Sequence, residues 1–226
     1  VSILAEELTA KITGVKKNNK YIIIIIFFRP APSSSIISLK KTPIKAAGII
    51  ETIIFNEKIL SLEDFFNNDD RSNIIANPNC STIQMLVALN PIHEAAKIRS
   101  INVCTYQSIS GAGRMMLNEY DRQVLDPKYP QQEENCFAHN VIPQIGSFEN
   151  NGYSLEEMKM VWETHKIFED QNIEVNPTAV RVPVRYGHSE AISIVTEKHL
   201  SIGEVRAMLS DSSGIQLMND DDSYPI

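Results

Sequence analysis

Asn77-Pro78-Asn79-Cys80-Ser81-Thr82-Ile83-Gln84-Met85 sets a cysteine where a polar turn meets an apolar run of helical spacing. In that run Ile83, Leu86, Val87, Leu89 and Ile92 recur at helical period and Pro91 interrupts them, which predicts a kinked helix over residues 81–98. Backbone N–H groups at a helix start point outward and the helix dipole favours negative charge. A thiol placed there is expected to ionise readily and to serve as a nucleophile. Cysteine is equally a common small buried residue, and the position alone leaves that reading open.

Working outward, residues 101–106 predict a strand that delivers Gln107 to its end. Residues 118–151, rich in Pro, Asn, Gln and Tyr, predict a long excursion with little regular structure. Ser154-Leu155-Glu156-Glu157 is a capping box that opens a helix to about Phe168. Strands follow around 178–184 and 191–196, and Ser201-Ile202-Gly203-Glu204 caps a further helix to about Leu209. Upstream, the five isoleucines Ile22 to Ile26 with Phe27-Phe28 predict a strand buried on both faces in a parallel sheet. Residues 38–47, then Gly48 and an Ile-rich patch at 49–55, give a helix closed by glycine and another strand, a βαβ rhythm.

Of 226 residues, 43% are hydrophobic and 22% charged, ordinary for a globular chain of one large or two small domains. A formal charge of −7 argues against a nucleic-acid or anionic-membrane surface, so substrate phosphate would need a local site. The 3 cysteines, Cys80, Cys104 and Cys136, lack metal-ligand pairing and predict reduced thiols in the cytosol with no metal bound. No secretory leader is visible, and the apolar run at 21–28 is too short to span a bilayer.

Two further motifs follow the cysteine: Gln107-Ser108-Ile109-Ser110-Gly111-Ala112-Gly113 and Arg181-Val182-Pro183-Val184-Arg185-Tyr186-Gly187-His188-Ser189-Glu190. With residues 77–85 they closely resemble the bacterial aspartate-semialdehyde dehydrogenases, in the order and spacing of that family, over about residues 74–226. The resemblance implies an α/β chain. Its first part, 1–79, would be a partial, divergent Rossmann-like NADP-binding domain, and 80–226 an α+β catalytic and dimerisation domain with a mixed sheet. Residues 1–73 hold no Gly-x-x-Gly-x-x-Gly loop. The family runs on beyond Ile226 through a segment that returns to the cofactor domain, so the chain is expected to be an incomplete stretch of a full enzyme.

Residue by residue, chemistry and resemblance stand side by side. A thiol needs a proton acceptor, and of the 5 histidines only His188 lies in a Gly-His-Ser turn between two expected strands. Taken alone it is a surface hydrogen-bonder as readily as a catalyst. By resemblance Cys80 is the nucleophile and His188 the general acid/base. Arg181 in its apolar strand needs an anion, which a structural salt bridge would also provide; by resemblance it grips the substrate carboxylate through two prongs. Glu156 and Lys159 share a helical face with Glu163 and Lys166 and could be solvated ion pairs; by resemblance Glu156 contacts the substrate amino group and Lys159 binds phosphate. Gln107 is either a strand-end amide or, by resemblance, the group that orients the acyl chain beside Cys80. Ser110 and Gly111 form a small-residue loop that by resemblance lies against the dinucleotide. A family arginine in a Ser-Ala-Phe-Arg context has no match here.

The implied reaction is NADP-dependent reductive dephosphorylation of L-aspartyl 4-phosphate to L-aspartate 4-semialdehyde through a cysteine thioester, in a cytoplasmic homodimer or tetramer of amino-acid biosynthesis. The implied partners are a small-molecule substrate and phosphate, with no nucleic acid and no membrane. Two alternatives are carried: N-acetyl-glutamyl-phosphate reductase, whose motif usually has glycine where this chain has Asn79, and a non-catalytic oligomerising homologue.

Overall fold

The computed structural model describes residues 3–4, 7–14, 21–29, 36–37, 52–55, 58–61, 78–126 and 136–218. In chain order the strands are β1 (Ile3–Leu4), β2 (Glu7–Gly14), β3 (Tyr21–Arg29), β4 (Ile36–Ile37), β5 (Thr52–Phe55), β6 (Lys58–Ser61), β7 (Ile98–Gln107), β8 (Glu174–Arg181), β9 (Ser189–Thr196) and β10 (Ile215–Leu217). The helices are α1 (Cys80–Ala96), α2 (Arg114–Leu125), α3 (Leu155–Ile167) and α4 (Ile202–Ser210), with a 3₁₀ turn at Ile109–Ala112.

A six-stranded mixed sheet in the order β10-β2-β3-β9-β7-β8 organises the molecule, while β1/β4 and β5/β6 form separate antiparallel pairs. Helix α1 lies over β3, β9 and β7, flanked by α3 on β8 and by α4 on β2 and β10. The interior between sheet and helices joins Met85, Leu86, Leu89 and Ile92 of α1 to Ile24, Ile101, Ile192 and Ile194 of the strands, all 1% exposed or less. Each isoleucine or leucine so buried contributes roughly 1.5–3 kcal/mol of transfer free energy, which is what fixes α1 on the sheet.

The poly-isoleucine segment is a strand, as its composition demands, but its neighbours run antiparallel on both sides: Ile24 pairs Ile12 on β2 and Ile192 on β9. An unbroken apolar run reports burial on two faces and carries no information on strand direction, so the expected parallel arrangement does not hold. The helix-and-strand reading of residues 38–50 lies outside the described residues; β5 within the Ile-rich patch pairs antiparallel with β6.

Helix α1 runs unbroken through Pro91. Pro91 removes one backbone hydrogen bond, and the buried face formed by Leu86, Leu89 and Ile92 compensates. Lys97 then takes φ +52°, and the chain enters β7 at Ile98, whose N–H donates to His93 Nδ1 at 3.2 Å. Strand β8 begins at Glu174, four residues before the expected start, because its parallel pairing with β7 extends from Ser100↔Glu174 to Gln107↔Arg181. Pro177 inside it is tolerated because β8 is an edge strand.

The expected irregular excursion at 118–151 contains the later turns of α2. Gln123 is the buried residue of that helix, while its apolar Met115, Val124 and Leu125 stay exposed, so α2 adds little to the core. Both predicted capping boxes are present, at Ser154/Glu157 and at Ser201/Glu204.

These two boxes differ in one respect. Glu157 is 8% exposed, and its other carboxylate oxygen accepts from Ala179 N of β8 at 2.9 Å, so the same side chain caps α3 and anchors it to the sheet. Glu204 is fully exposed and caps α4 alone. Urea denaturation is expected to show Glu157→Ala destabilising by about 2–4 kcal/mol, because it strands the N–H groups of Ser154 and Ala179. Glu204→Ala is expected to cost clearly less, and equal losses would show that the β8 anchor contributes nothing.

Candidate active site

Cys80 is the first residue of α1. Its turn is held by Asn79, whose side-chain oxygen accepts from Ser81 N at 2.9 Å and Thr82 N at 3.3 Å, satisfying two of the orphan donors of the helix start. The Asn79 N–H in turn donates to the Glu163 carboxylate of α3, 3.0 Å to Oε2 and 3.2 Å to Oε1. The cysteine is therefore presented by a turn clamped from both sides.

Glu156, at the start of α3, joins three elements. Its Oε1 accepts from Asn79 Nδ2 at 2.8 Å and from Gln107 Nε2 at 3.3 Å, and its Oε2 lies 3.5 Å from Lys159 Nζ. Gln107, at the end of β7 and 1% exposed, also donates from Nε2 to Ser81 Oγ at 2.9 Å and Thr105 Oγ1 at 3.2 Å. Glu156 and Lys159 are thus an ion pair, but one whose acid is buried and tied to the cysteine turn.

His188 and Arg181 meet across the loop after β7. The N–H of Ser108 donates to His188 Nδ1 at 3.1 Å, and the Ser108 hydroxyl lies 3.2 Å from the same nitrogen and 3.0 Å from Ser110 Oγ. A backbone N–H only donates, so the neutral ring carries its proton on Nε2. Arg181 Nη1 donates to Ser108 O at 2.6 Å. Gly111 completes the junction: a Cβ there would lie 3.0 Å from Arg181 Nη1 and 3.1 Å from His188 Nε2. Ahead of the histidine, Gly187 takes φ +82°, the left-handed conformation glycine adopts without strain.

The electrostatics revise one expectation. Cys80 keeps open surface, yet the protein packed round its other side and then the charge of Glu156 push its thiol pKa up, outweighing the Ser81 hydrogen bonds that favour thiolate. The helix start alone does not yield a resting thiolate, because desolvation and a neighbouring carboxylate act on the same sulfur. Burial, with Arg181 adding to it, lowers the His188 pKa against a Gly187 backbone hydrogen bond and Glu156. His188 rests neutral. Arg181 is lowered by burial, opposed by the attraction of Glu156 and Cys80.

Every residue singled out in the sequence lies in this constellation: Cys80 and Gln107 round Ser81, Glu156 and Lys159 beside them, and Arg181, His188, Ser110 and Gly111 round Ser108. Four residues not singled out belong to it as well: Asn79, Ser108, Glu163 and Glu190. Glu163 carries a signal in the sequence, since it lies two helical turns from Glu156 on the same polar face of the helix. Glu190 is fully buried, holds a hydrogen bond from Gln84 Nε2, and burial pushes its pKa to about 8. Among the described residues no group of three or more metal-ligating side chains occurs, and no helix is long and apolar enough to cross a membrane.

The sequence profile of the semialdehyde dehydrogenase dimerisation domain matches residues 89–226. Over 170 residues the chain is 52% identical to an aspartate-semialdehyde dehydrogenase of Shewanella sp. (strain DB6705), covering 73% of this chain and 49% of the relative. A second relative, from Aquifex aeolicus, is 43% identical over 168 residues, covering 69% and 48%. Among solved structures, aspartate semialdehyde dehydrogenase II of Vibrio cholerae superposes with a TM-score of 0.63 at 54% identity, covering 66% of this chain and 46% of that one. The chain spans about half the length of the curated relatives it matches.

The buried Glu190 makes a testable statement about pH. A carboxyl whose folded pKa is raised supports the fold fully below its unfolded value near 4.5 and loses that contribution as pH rises to about 8. Glu190→Gln keeps the shape and cannot ionise. Its Tm relative to the parent is expected to rise steadily between pH 5 and pH 8; a pH-independent difference would mean that Glu190 titrates normally.

Proposed function

The chain belongs to the aspartate-semialdehyde dehydrogenase family, and from that membership we propose that it carries out the NADP-dependent reductive dephosphorylation of L-aspartyl 4-phosphate to L-aspartate 4-semialdehyde. The observation that carries the reading is a pair of hydrogen-bonded clusters on the adjacent residues Gln107 and Ser108: Gln107 bonds to Ser81 beside the Cys80 thiol, and Ser108 bonds to the buried Arg181 guanidinium and the neutral His188 imidazole. A solved relative, the Vibrio cholerae enzyme complexed with ASA, is 52% identical over 66% of this chain.

In this reading the Cys80 sulfur attacks the acyl phosphate carbon, the thiol proton leaves with the departing phosphate, and a thioester remains on Cys80. The sulfur is activated as the helix start and incoming cationic contacts offset the burial that raises its pKa. His188 donates from Nε2 to the oxygen that becomes charged in the tetrahedral step and recovers that proton as the carbonyl re-forms. Gln107, already anchored to Ser81, holds the acyl oxygen. Arg181 spends Nη1 on Ser108 O and offers the rest of its fork to the substrate carboxylate, while Glu156 receives the amino group and Lys159 the phosphate. The reduced cofactor, NADPH, would when bound supply the hydride that reduces the thioester, leaving as NADP. The half-buried Ser110 and the exposed, side-chain-free Gly111, next to His188, are the residues that would hold its nicotinamide end.

The same reading assigns residues 80–226 to a catalytic and dimerisation unit and 1–79 to a partial cofactor-binding unit, with β2 and β3 of the latter forming strands of the six-stranded sheet the two units share. The outer face of that sheet, with Asn102 and Tyr106 exposed and Cys104 and Ser193 half-buried, is offered to a second copy, giving a homodimer or tetramer of a cytoplasmic biosynthetic enzyme.

In the full protein, Cys80→Ala is expected to bind NADP and form no semialdehyde, whereas Cys104→Ala, altered on the outer sheet face, remains active. Residual turnover above about one tenth in the Cys80 variant would overturn the nucleophile, since loss of a covalent step costs orders of magnitude. Arg181→Lys is expected to lower kcat/KM for the substrate roughly tenfold or more with cofactor affinity unchanged, because an ammonium cannot reproduce the planar fork. Equal losses for substrate and cofactor would mark Arg181 as structural.

A further inference from the structure

One helical turn beyond the nucleophile and two residues beyond the histidine, a second pair of side chains meets. Gln84 stands four residues after Cys80 on the same face of α1, and Glu190 stands on β9 two residues after His188. Gln84 Nε2 donates to Glu190 Oε1 in the buried interior, where Glu190 is 0% exposed and Gln84 3%. The strand register sets Glu190 opposite Thr105 of β7, whose hydroxyl accepts from Gln107 Nε2. Glu190 therefore occupies the layer directly beneath Gln107, Ser81 and Cys80. Its second oxygen, Oε2, is buried and has no hydrogen-bond partner among the described residues.

An ionised carboxylate with one bare oxygen and, among the described residues, no cation acting on it is costly to bury, and the protonated acid is the form this site accommodates. The acid form still holds Gln84. It does so without setting a negative charge beneath a sulfur that must itself become negative.

We propose that Glu190 is a positioning residue: through its hydrogen bond to Gln84 it fixes the first turn of α1, and with it the Cys80 sulfur, against the strand that follows His188. The inference rests on the reading of Cys80 as the nucleophile. Among the described residues the ionisable group coupled to Glu190 is Cys80 on α1, while the strand register sets Ile26 of β3 opposite it. An ionised Glu190 raises the thiol pKa, and a neutral one does not.

The test uses the full protein and two independent readouts, steady-state kinetics and the rate of Cys80 carboxamidomethylation by iodoacetamide, followed by mass spectrometry from pH 6 to 10. Glu190→Leu removes the hydrogen bond at similar volume and is expected to cut kcat tenfold or more with KM for substrate and cofactor within twofold. Gln84→Met, which breaks the same bond from the other side, is expected to match it. Glu190→Gln, which retains the acceptor, restores kcat to within threefold and shifts the alkaline part of the Cys80 alkylation profile to lower pH. Parent-like kcat and alkylation in both Glu190→Leu and Gln84→Met would overturn the proposal. So would a Glu190→Gln variant as impaired as Glu190→Leu, since the carboxylate itself would then be required. If Glu190→Leu fails to fold, Gln84→Met and Glu190→Gln decide the matter. Alkylation that responds as expected in a protein without semialdehyde turnover would uphold the positioning role and reject the assigned reaction instead.

Discussion

A buried carboxylate must be surrounded by donors, and the site is arranged round one such demand, that of Glu156. Three donors answer it: the Asn79 amide on the turn before α1, the Gln107 amide at the end of β7, and the Lys159 ammonium one turn further along α3. Removing any partner would leave part of a charge unsatisfied in the interior, so the three elements are held to one another by electrostatic necessity as well as by apolar contact. The cysteine inherits its position from this arrangement, because the residue before it is both the helix cap and a ligand of Glu156.

That dual duty of Asn79 bears on how specificity is read. The asparagine that separates this motif from one with glycine before the cysteine is engaged within the protein, capping α1 and bonding Glu156. A glycine there would supply neither contact. The identity of this residue therefore reports a different way of building the turn, and its bearing on substrate choice is indirect, through where Glu156 is held.

The resting electrostatics are those of a site held short of reaction. Burial and Glu156 keep the Cys80 proton on, burial and Arg181 keep His188 neutral, and Glu190 below them is held in its acid form. Each group sits in the less charged state that a partly desolvated site favours. A ligand that brings its own charges against Arg181, Lys159 and Glu156 changes that balance locally. The helix start beneath the sulfur supplies fixed dipoles that need no rearrangement when charge develops there.

By itself the sequence determined the local elements whose signals are chemical or periodic: both capping boxes, the helix opening at Cys80, the strand delivering Gln107, and the three motifs that hold the site residues. Those signals are short-range, since a cap or an apolar stripe is written within a few neighbouring residues. Only the tertiary structure decided that β3 runs antiparallel between β2 and β9, because an all-apolar strand looks the same in either direction. It alone revealed α2, a mostly polar helix with one buried residue, Gln123. It alone set the protonation of the site, because the pKa of Cys80 depends on Glu156 and Glu190, 76 and 110 residues away in the chain, and on a burial that no local pattern encodes.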